Sequence, residues 1–391
     1  MTNRLITLSA AILLCLTLPF QAKAVVKTSR YIVIAASDSP AKDKKLADYV
    51  CKGTNDERVI NKAIESLKYG GTIQLLDGNY YIDAFEQEGN SAILFGFNEG
   101  RARTITIKGT TENKSYNSQY GACIRVTKKA MDAMDPEQTY RVFYGTPQKP
   151  VDPVTGKNNW KDNYFAYTYV NCANFENFLL FFANAGKKLI GLDCSKLGNC
   201  EINLVGIYTE KHFEERYMHL PASTPAEGCI GIISPRRSND DTSRLAFNTV
   251  CIGGLYVGIK TNAIDHLIMY NCSVARCTIG YWFDGPGAKT LTMINCADEG
   301  NTHLPRFTGT GHLTCIDFNI ERFKAEYIPL DPTGNPEHRA LEEVPGGWHG
   351  FISYTMQGKA FGLDDGEFWA EGSGGNFKTV NLDRNASEWP L

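Results

Sequence analysis

At 391 residues and 43% hydrophobic composition, the chain is long enough for one large solenoid domain or two ordinary domains. Its 40 Lys and Arg nearly balance 43 Asp and Glu, for a formal net charge of -3 with no basic stripe, which argues against sequence-independent nucleic-acid binding through many phosphate contacts. Abundant Gly and Asn with few helical patterns favour an all-β architecture.

The first 24 residues read as an export signal. Arg4 supplies the positive start, Leu5 to Phe20 the apolar run, and Ala22-Lys23-Ala24 the A-x-A cleavage site. The competing reading is a membrane anchor, but the run is short and a cleavage motif follows. Ile12-Leu13-Leu14 lacks the small residue expected before a lipidated Cys15. The mature chain is expected to begin at Val25 and to be exported to the periplasm, cell surface or medium. No later segment is apolar enough to span a bilayer.

From Ala47 to Ile82 three pieces follow in order: an acidic turn, a helix and a strand. Val59, Ile60, Ala63, Ile64 and Leu67 share one helical face. Thr54 and Glu57 have the spacing of a capping box, and Asp56 and Glu57 suit the positive end of the helix dipole. Gly70-Gly71 ends the helix, Thr72 to Leu75 alternates as a strand, and Asp77-Gly78 turns into Tyr80-Tyr81-Ile82. Ala47-Asp48, Gly53-Thr54-x-Asp56, Ile60, Ala63-Ile64, Gly70-Gly71-Thr72 and Leu76 to Tyr80, with the next strand at Thr104–Thr110, resemble the N-terminal cap of the pectate-lyase-like superfamily. The resemblance covers about Ala47–Gly109. It implies a right-handed parallel β-helix with a short N-terminal capping helix, a fold that hosts lyases, hydrolases and non-catalytic spikes.

The middle of the chain repeats weakly, as a solenoid should. Asn203–Tyr208, Asn248–Gly253, His266–Cys272 and Leu291–Cys296 align. So do Ile190-Gly191-Leu192, Ile230-Gly231-Ile232, Val257-Gly258-Ile259 and Ile279-Gly280-Tyr281. Gly258 to Gly280 is 22 positions and Asn271 to Asn295 is 24, about one coil each. Stacking would place Asn271, Asn295 and Asp317 in one ladder. Insertions are expected at 111–169 and 208–247, walling a groove on one lateral face. The β-helix is expected over 25–330. Residues 331–391 read as final coils, a cap or a small β appendage.

Eleven cysteines remain after processing. Cys172, Cys200, Cys272 and Cys296 each follow Asn, and Cys251 and Cys315 lie in apolar runs, which favours buried thiols. The alternative is disulfide pairing, with Cys194–Cys200 the local pair. No zinc-type spacing occurs, and the sequence identifies no metal ligands.

Two clusters are candidates for chemistry. The polygalacturonase-like hydrolases of this fold carry Asn-x-Asp, Asp-Asp, Gly-His-Gly and Arg-x-Lys in order, and Asn239-Asp240-Asp241, Gly311-His312-Leu313 and Arg322-Phe323-Lys324 follow that order. They depart from it where Leu313 replaces a glycine and where His312 and Arg322 stand about half a coil apart. The second cluster comes from coil register, which brings Arg276, Asp298, Glu299, Glu321 and Arg322 to one corner, with His303 and Arg306 extending the same face. Two carboxylates one strand apart would push one pKa up, and the arginines would grip an anionic sugar. The competing reading is a charged turn ladder. The expected catalytic residues are Asp298, Glu299, Glu321, Arg322, Asp240, Asp241 and His312; the expected substrate-binding residues are Arg276, His303, Arg306, Arg236, Arg237 and Lys324.

The expected function is cleavage of an acidic or plant-type polysaccharide by a secreted lyase or glycoside hydrolase, with calcium as the cofactor a lyase would call for. The alternative is a non-catalytic glycan-binding or tail-spike-like β-helix, which would bring a homo-oligomer, a trimer, as partner.

Overall fold

The computed structural model of the chain describes residues 30–95, 103–110, 121–145, 172–197, 200–210, 225–235, 244–261, 266–283, 288–299, 301, 306–307, 310–321, 348–357, 361–364, 367–370 and 377–384. These residues are mostly short strands in long parallel ladders, the arrangement of an all-β solenoid. Strand β1 (Tyr31–Ala35), helix α1 (Ala41–Lys44), strand β2 (Tyr49–Val50) and helix α2 (Asp56–Ser66) come first. The first coil is β3 (Gly71–Leu75), β4 (Gly78–Ile82) and β5 (Ser91–Phe95). The second is β6 (Thr104–Gly109), β7 (Ala122–Val126), α3 (Lys128–Ala133) and β8 (Tyr140–Gly145). In the next two coils the first two strand positions merge: β9 (Cys172–Phe182) precedes β10 (Leu189–Asp193), and β11 (Cys200–Thr209) precedes β12 (Ile230–Ile233). Then come β13 (Arg244–Asn248), β14 (Cys251–Gly253) and β15 (Val257–Thr261), followed by β16 (His266–Tyr270), β17 (Ser273–Ala275) and β18 (Ile279–Phe283). The seventh coil is β19 (Ala288–Glu299) and β20 (Arg306–Phe307), and β21 (Thr310–Glu321) opens an eighth.

Each coil adds one strand to each of three parallel ladders. Ladder a stacks β3, β6, β13 and β16 with the first halves of β9, β11, β19 and β21. Ladder b stacks β4, β7, β14 and β17 with the second halves of the same long strands. Ladder c stacks β5, β8, β10, β12, β15, β18 and β20.

Register is set by what the interior must bury. In ladder a, Ile73, Ile107, Phe175, Ile202, Phe247, Met269, Met293 and Cys315 stack through eight coils, all essentially buried. Between ladders a and b the chain bends on one left-handed residue per coil: Asn177, Leu204, Thr249, Asn271 and Asn295, with φ from 51° to 56°. Such a conformation costs an ordinary L-residue about 1–2 kcal/mol and Asn less, which is why Asn recurs there. Asn295 Nδ2 donates to Asn271 Oδ1 at 2.6 Å, so the ladder of these two asparagines is formed. Asp317 takes the next position, since its neighbours Ile316 and Phe318 pair with Ile294 and Cys296.

The repeated Ile-Gly motifs align in ladder c, where Ile190, Ile230, Val257 and Ile279 are in register. Their glycines are required by contact. A Cβ on Gly191 would stand 2.6 Å from the Gly231 carbonyl oxygen, one on Gly231 2.7 Å from that of Gly258, and one on Gly258 2.7 Å from that of Gly280.

Several details differ from the sequence reading. Helix α2 starts one residue later than a capping box requires: its N-cap is Asn55, which makes no side-chain cap bond. Asp56 instead accepts from the Lys52, Gly53 and Tyr81 backbone N–H groups, and Glu57 from that of Asp83. These carboxylates tie the helix to the first coil, on whose strands β4 and β5 α2 packs. The span 111–169 is not one insertion, because it holds β7, α3 and β8; likewise 208–247 holds β12. Polar, proline-rich flanks hid strands whose apolar runs are only four to six residues long. Beyond residue 331 the described strands are antiparallel. β22 (Trp348–Gln357) pairs with β21, β23 (Phe361–Asp364) with β24 (Glu367–Ala370), and β25 (Phe377–Arg384) with β22, a small β appendage closing the end of ladder a. The export signal and the remaining parts of both insertions lie outside the described residues.

Candidate functional site

The corner between ladders b and c carries the carboxylates expected from coil register. Glu299 and Glu321 are direct neighbours on β19 and β21, about 4.8 Å apart along the backbone. They end a row of ladder b that runs Tyr81, Arg125, Phe181, Tyr208, Gly253, Ala275, Glu299 and Glu321. Ser273 Oγ donates to Glu299 Oε1 at 3.0 Å. Arg276, left-handed at φ 54°, opens the turn into ladder c and donates its backbone N–H to the Glu299 carbonyl at 2.9 Å.

Asp298 does not share that face. Its register row is Tyr80, Ile124, Leu180, Ile207, Ile252 and Val274, the inward row of ladder b, and it is fully buried. Asn301 Nδ2 donates to Asp298 Oδ1 at 2.7 Å and to the Val274 carbonyl at 2.8 Å, and Asn301 Oδ1 accepts from the Cys277 N–H. Asp298 therefore belongs to a polar plug inside the solenoid. The adjacent Gly280 makes room for it: a Cβ there would lie 2.5 Å from Asn301 Nδ2 and 2.8 Å from Asp298 Oδ2.

A second group stands on the outer row of ladder c. In register it reads Leu94, Tyr144, Asp193, Ile233, Lys260, Trp282 and Arg306. Arg141 Nε donates to Asp193 Oδ2 at 2.6 Å between adjacent coils, its guanidinium lies over the Tyr144 ring at 4.8 Å, and Asp193 is 4% exposed. This end of the row is a locked ion pair. Further along, Lys260 Nζ stands 4.0 Å over the Trp282 ring, and both side chains are partly exposed. An ammonium over an indole face is a cation–π contact that presents a positive charge beside an apolar ring. In chain order, residues 146–171 follow β8, 210–229 precede β12 and 234–243 follow it.

The other expected residues divide cleanly. Arg306 is the register partner of Trp282. His312 lies in the ladder a half of β21 and Glu321 in the ladder b half, on either side of the bend at Asp317, so they do not share one row. Arg236, Arg237, Asp240, Asp241, His303, Arg322 and Lys324 lie outside the described residues. Sequence reasoning missed Ser273, Lys260 and Trp282. The signal was present for the last two: each stands two residues past an aligned Ile/Val-Gly glycine, Gly258 and Gly280.

No family model and no curated protein matches the chain. Among the described residues, no group of three or more His, Cys, Asp or Glu side chains is placed to hold a metal ion, and no helix is long and apolar enough to cross a membrane.

Proposed function

We propose that the chain is an exported right-handed parallel β-helix, capped at its N-terminal end by α2, that binds an acidic polysaccharide across the outer face of ladder c and cleaves it. The observation that carries this reading is the Lys260–Trp282 pair on the outer row of ladder c, in register with Arg306. An aromatic face stacks on a sugar ring, and an adjacent fixed cation selects rings that bear a carboxylate. Arg306, one strand further, adds a second cation to the row.

For cleavage, the in-register Glu299 and Glu321 are the carboxylate pair. Glu299, held by Ser273, takes the ionised role, and Glu321 that of the acid. Neighbouring strands offer about the spacing of a retaining glycosidase, whose carboxyl groups stand about 5 Å apart. Elimination would instead use Arg276, at this corner, as base.

The test is a panel of uronate polymers and neutral glucans, read by new reducing ends and by absorbance of unsaturated ends. Cleavage of uronate polymers that is abolished by Glu299→Gln with unchanged binding supports the full reading. The Lys260–Trp282 contact also favours a second reading, non-catalytic glycan binding, because it supplies a ring and a charge without chemistry. Binding without cleavage would select that one. Failure to bind any acidic glycan would overturn both.

A further inference from the structure

Eleven cysteines of the described chain are free thiols. Cys272 and Cys296 reach backbone carbonyl oxygens, of Phe247 and Tyr270 and of Met269 and Ile294, as well as each other. Cys194 and Cys200 face each other, Sγ to Sγ at 3.6 Å, and both are fully buried. They flank the connection from β10 to β11, where the chain passes from ladder c of one coil to ladder a of the next. The Cys194 N–H donates to Ile233 O, the Leu197 N–H donates to Cys194 O, and Leu197 is buried.

We propose that Cys194 and Cys200 are an oxidation site, closing to a disulfide that staples coil three to coil four when the chain folds in an oxidising compartment. The inference rests on the export reading for its compartment and on geometry for its residues. Two thiols already in contact need move together by only about 1.5 Å to reach a bond of about 2.05 Å. The oxidant is a protein or small-molecule disulfide. One cysteine thiolate attacks it to give a mixed disulfide, and the second thiolate displaces the leaving thiol. The protein loses two hydrogens, and the oxidant's disulfide is reduced to two thiols. The neighbouring sulfur and burial hold the Cys194 thiol protonated in the folded chain, so the exchange belongs to folding, before this connection is sealed, and the finished bond is shielded from reductants.

Lys196 separates the two cysteines, so trypsin places them in different peptides, Leu189–Lys196 and Leu197–Lys211. The full chain is exported from a bacterial host, denatured with iodoacetamide and no reductant, digested and weighed. The proposal expects one linked species two hydrogens lighter than the two peptides together, which separates on reduction. Two separately alkylated peptides from exported protein would overturn it. Should the leader remain uncleaved and the chain stay in the cytosol, the export reading fails by itself. The same assay after refolding in a glutathione redox buffer then decides the geometry, where a linked species supports the site and its absence refutes it. A Cys194→Ser, Cys200→Ser double variant separates a staple from mere packing: reductant should lower the melting temperature of the parent and leave that of the variant unmoved.

Discussion

Glu57 offers a sharp test of how the N-terminal helix is tied to the solenoid. The side chain is 3% exposed. Its Oε2 accepts from the Asp83 N–H at 3.2 Å, and its Oε1 is buried with no hydrogen-bond partner. Burial raises its pKa from 4.5 to about 7, against the lowering effect of nearby backbone N–H groups. A carboxyl that holds its proton more tightly folded than unfolded stabilises the fold at low pH. Below about 4.5 both states are protonated and nothing is lost. Between 4.5 and about 7 the unfolded chain ionises first, and stability falls as pH rises. Above 7 the full cost is present, about 3 kcal/mol at 1.36 kcal/mol per pKa unit. Glu57→Gln removes that charge while keeping an acceptor for the Asp83 N–H. It should stabilise the chain by about 1–3 kcal/mol at pH 8, the lower end allowing for the amide's own buried donors, and by nothing at pH 4. Urea melts of both proteins at pH 4, 6 and 8 measure this. An equal gain at pH 4 and pH 8, or a loss at pH 8, would refute the account of Glu57 as a buried acid held against its charge.

Three further outcomes follow from the same geometry. Gly258→Ala puts a Cβ 2.3 Å from Val274 Cγ1 and should cost about 1–3 kcal/mol in a denaturant melt, since neither the side chain nor the Gly280 carbonyl has space to yield. Thr249→Asn replaces a β-branched residue at φ 53° with the residue found at the next two bends, and should gain about 1 kcal/mol. Lys260→Met should weaken binding of a uronate polymer about tenfold and flatten its salt dependence, while a neutral glucan is unaffected; isothermal titration at two ionic strengths reads both.

How much was legible in the sequence follows from what stacking constrains. Coil register could be read because each inward residue touches its equivalents above and below. The run from Ile73 to Cys315 must stay apolar, and Gly191, Gly231, Gly258 and Gly280 must stay small. The Asn271–Asn295 alignment, and through it the Glu299–Glu321 pair, came from that constraint. Strand boundaries inside 111–169 and 208–247 were not legible, because β7, β8 and β12 are too short to show a period against polar flanks. Asp298 was misplaced for a different reason. A charged residue beside Glu299 reads as exposed, but Asp298 points inward and takes a hydrogen bond from Asn301 there.

The outer rows carry no repeat because stacking asks nothing of them. Along ladder c the positions two past the glycines are Asp193, Ile233, Lys260 and Trp282, four unrelated residues in one register row. A fold that holds its inward neighbours to a strict pattern leaves this line free to differ from coil to coil. The variation is therefore where specificity for a ligand can be written, and alignment of coils is the means of finding it. Asp193 is committed to Arg141, and under the proposed reading a ligand meets the line at Lys260 and Trp282. Glu299 and Glu321 stand at the neighbouring corner of the last coils, where Arg276 opens the turn that leads into Trp282's own strand. A polymer bound on Trp282 and cut at that corner must cross the turn beginning at Arg276. Arg276→Ala should then lower turnover on long uronate chains more than on short ones, and equal loss on both would place binding and cleavage within one sugar of each other.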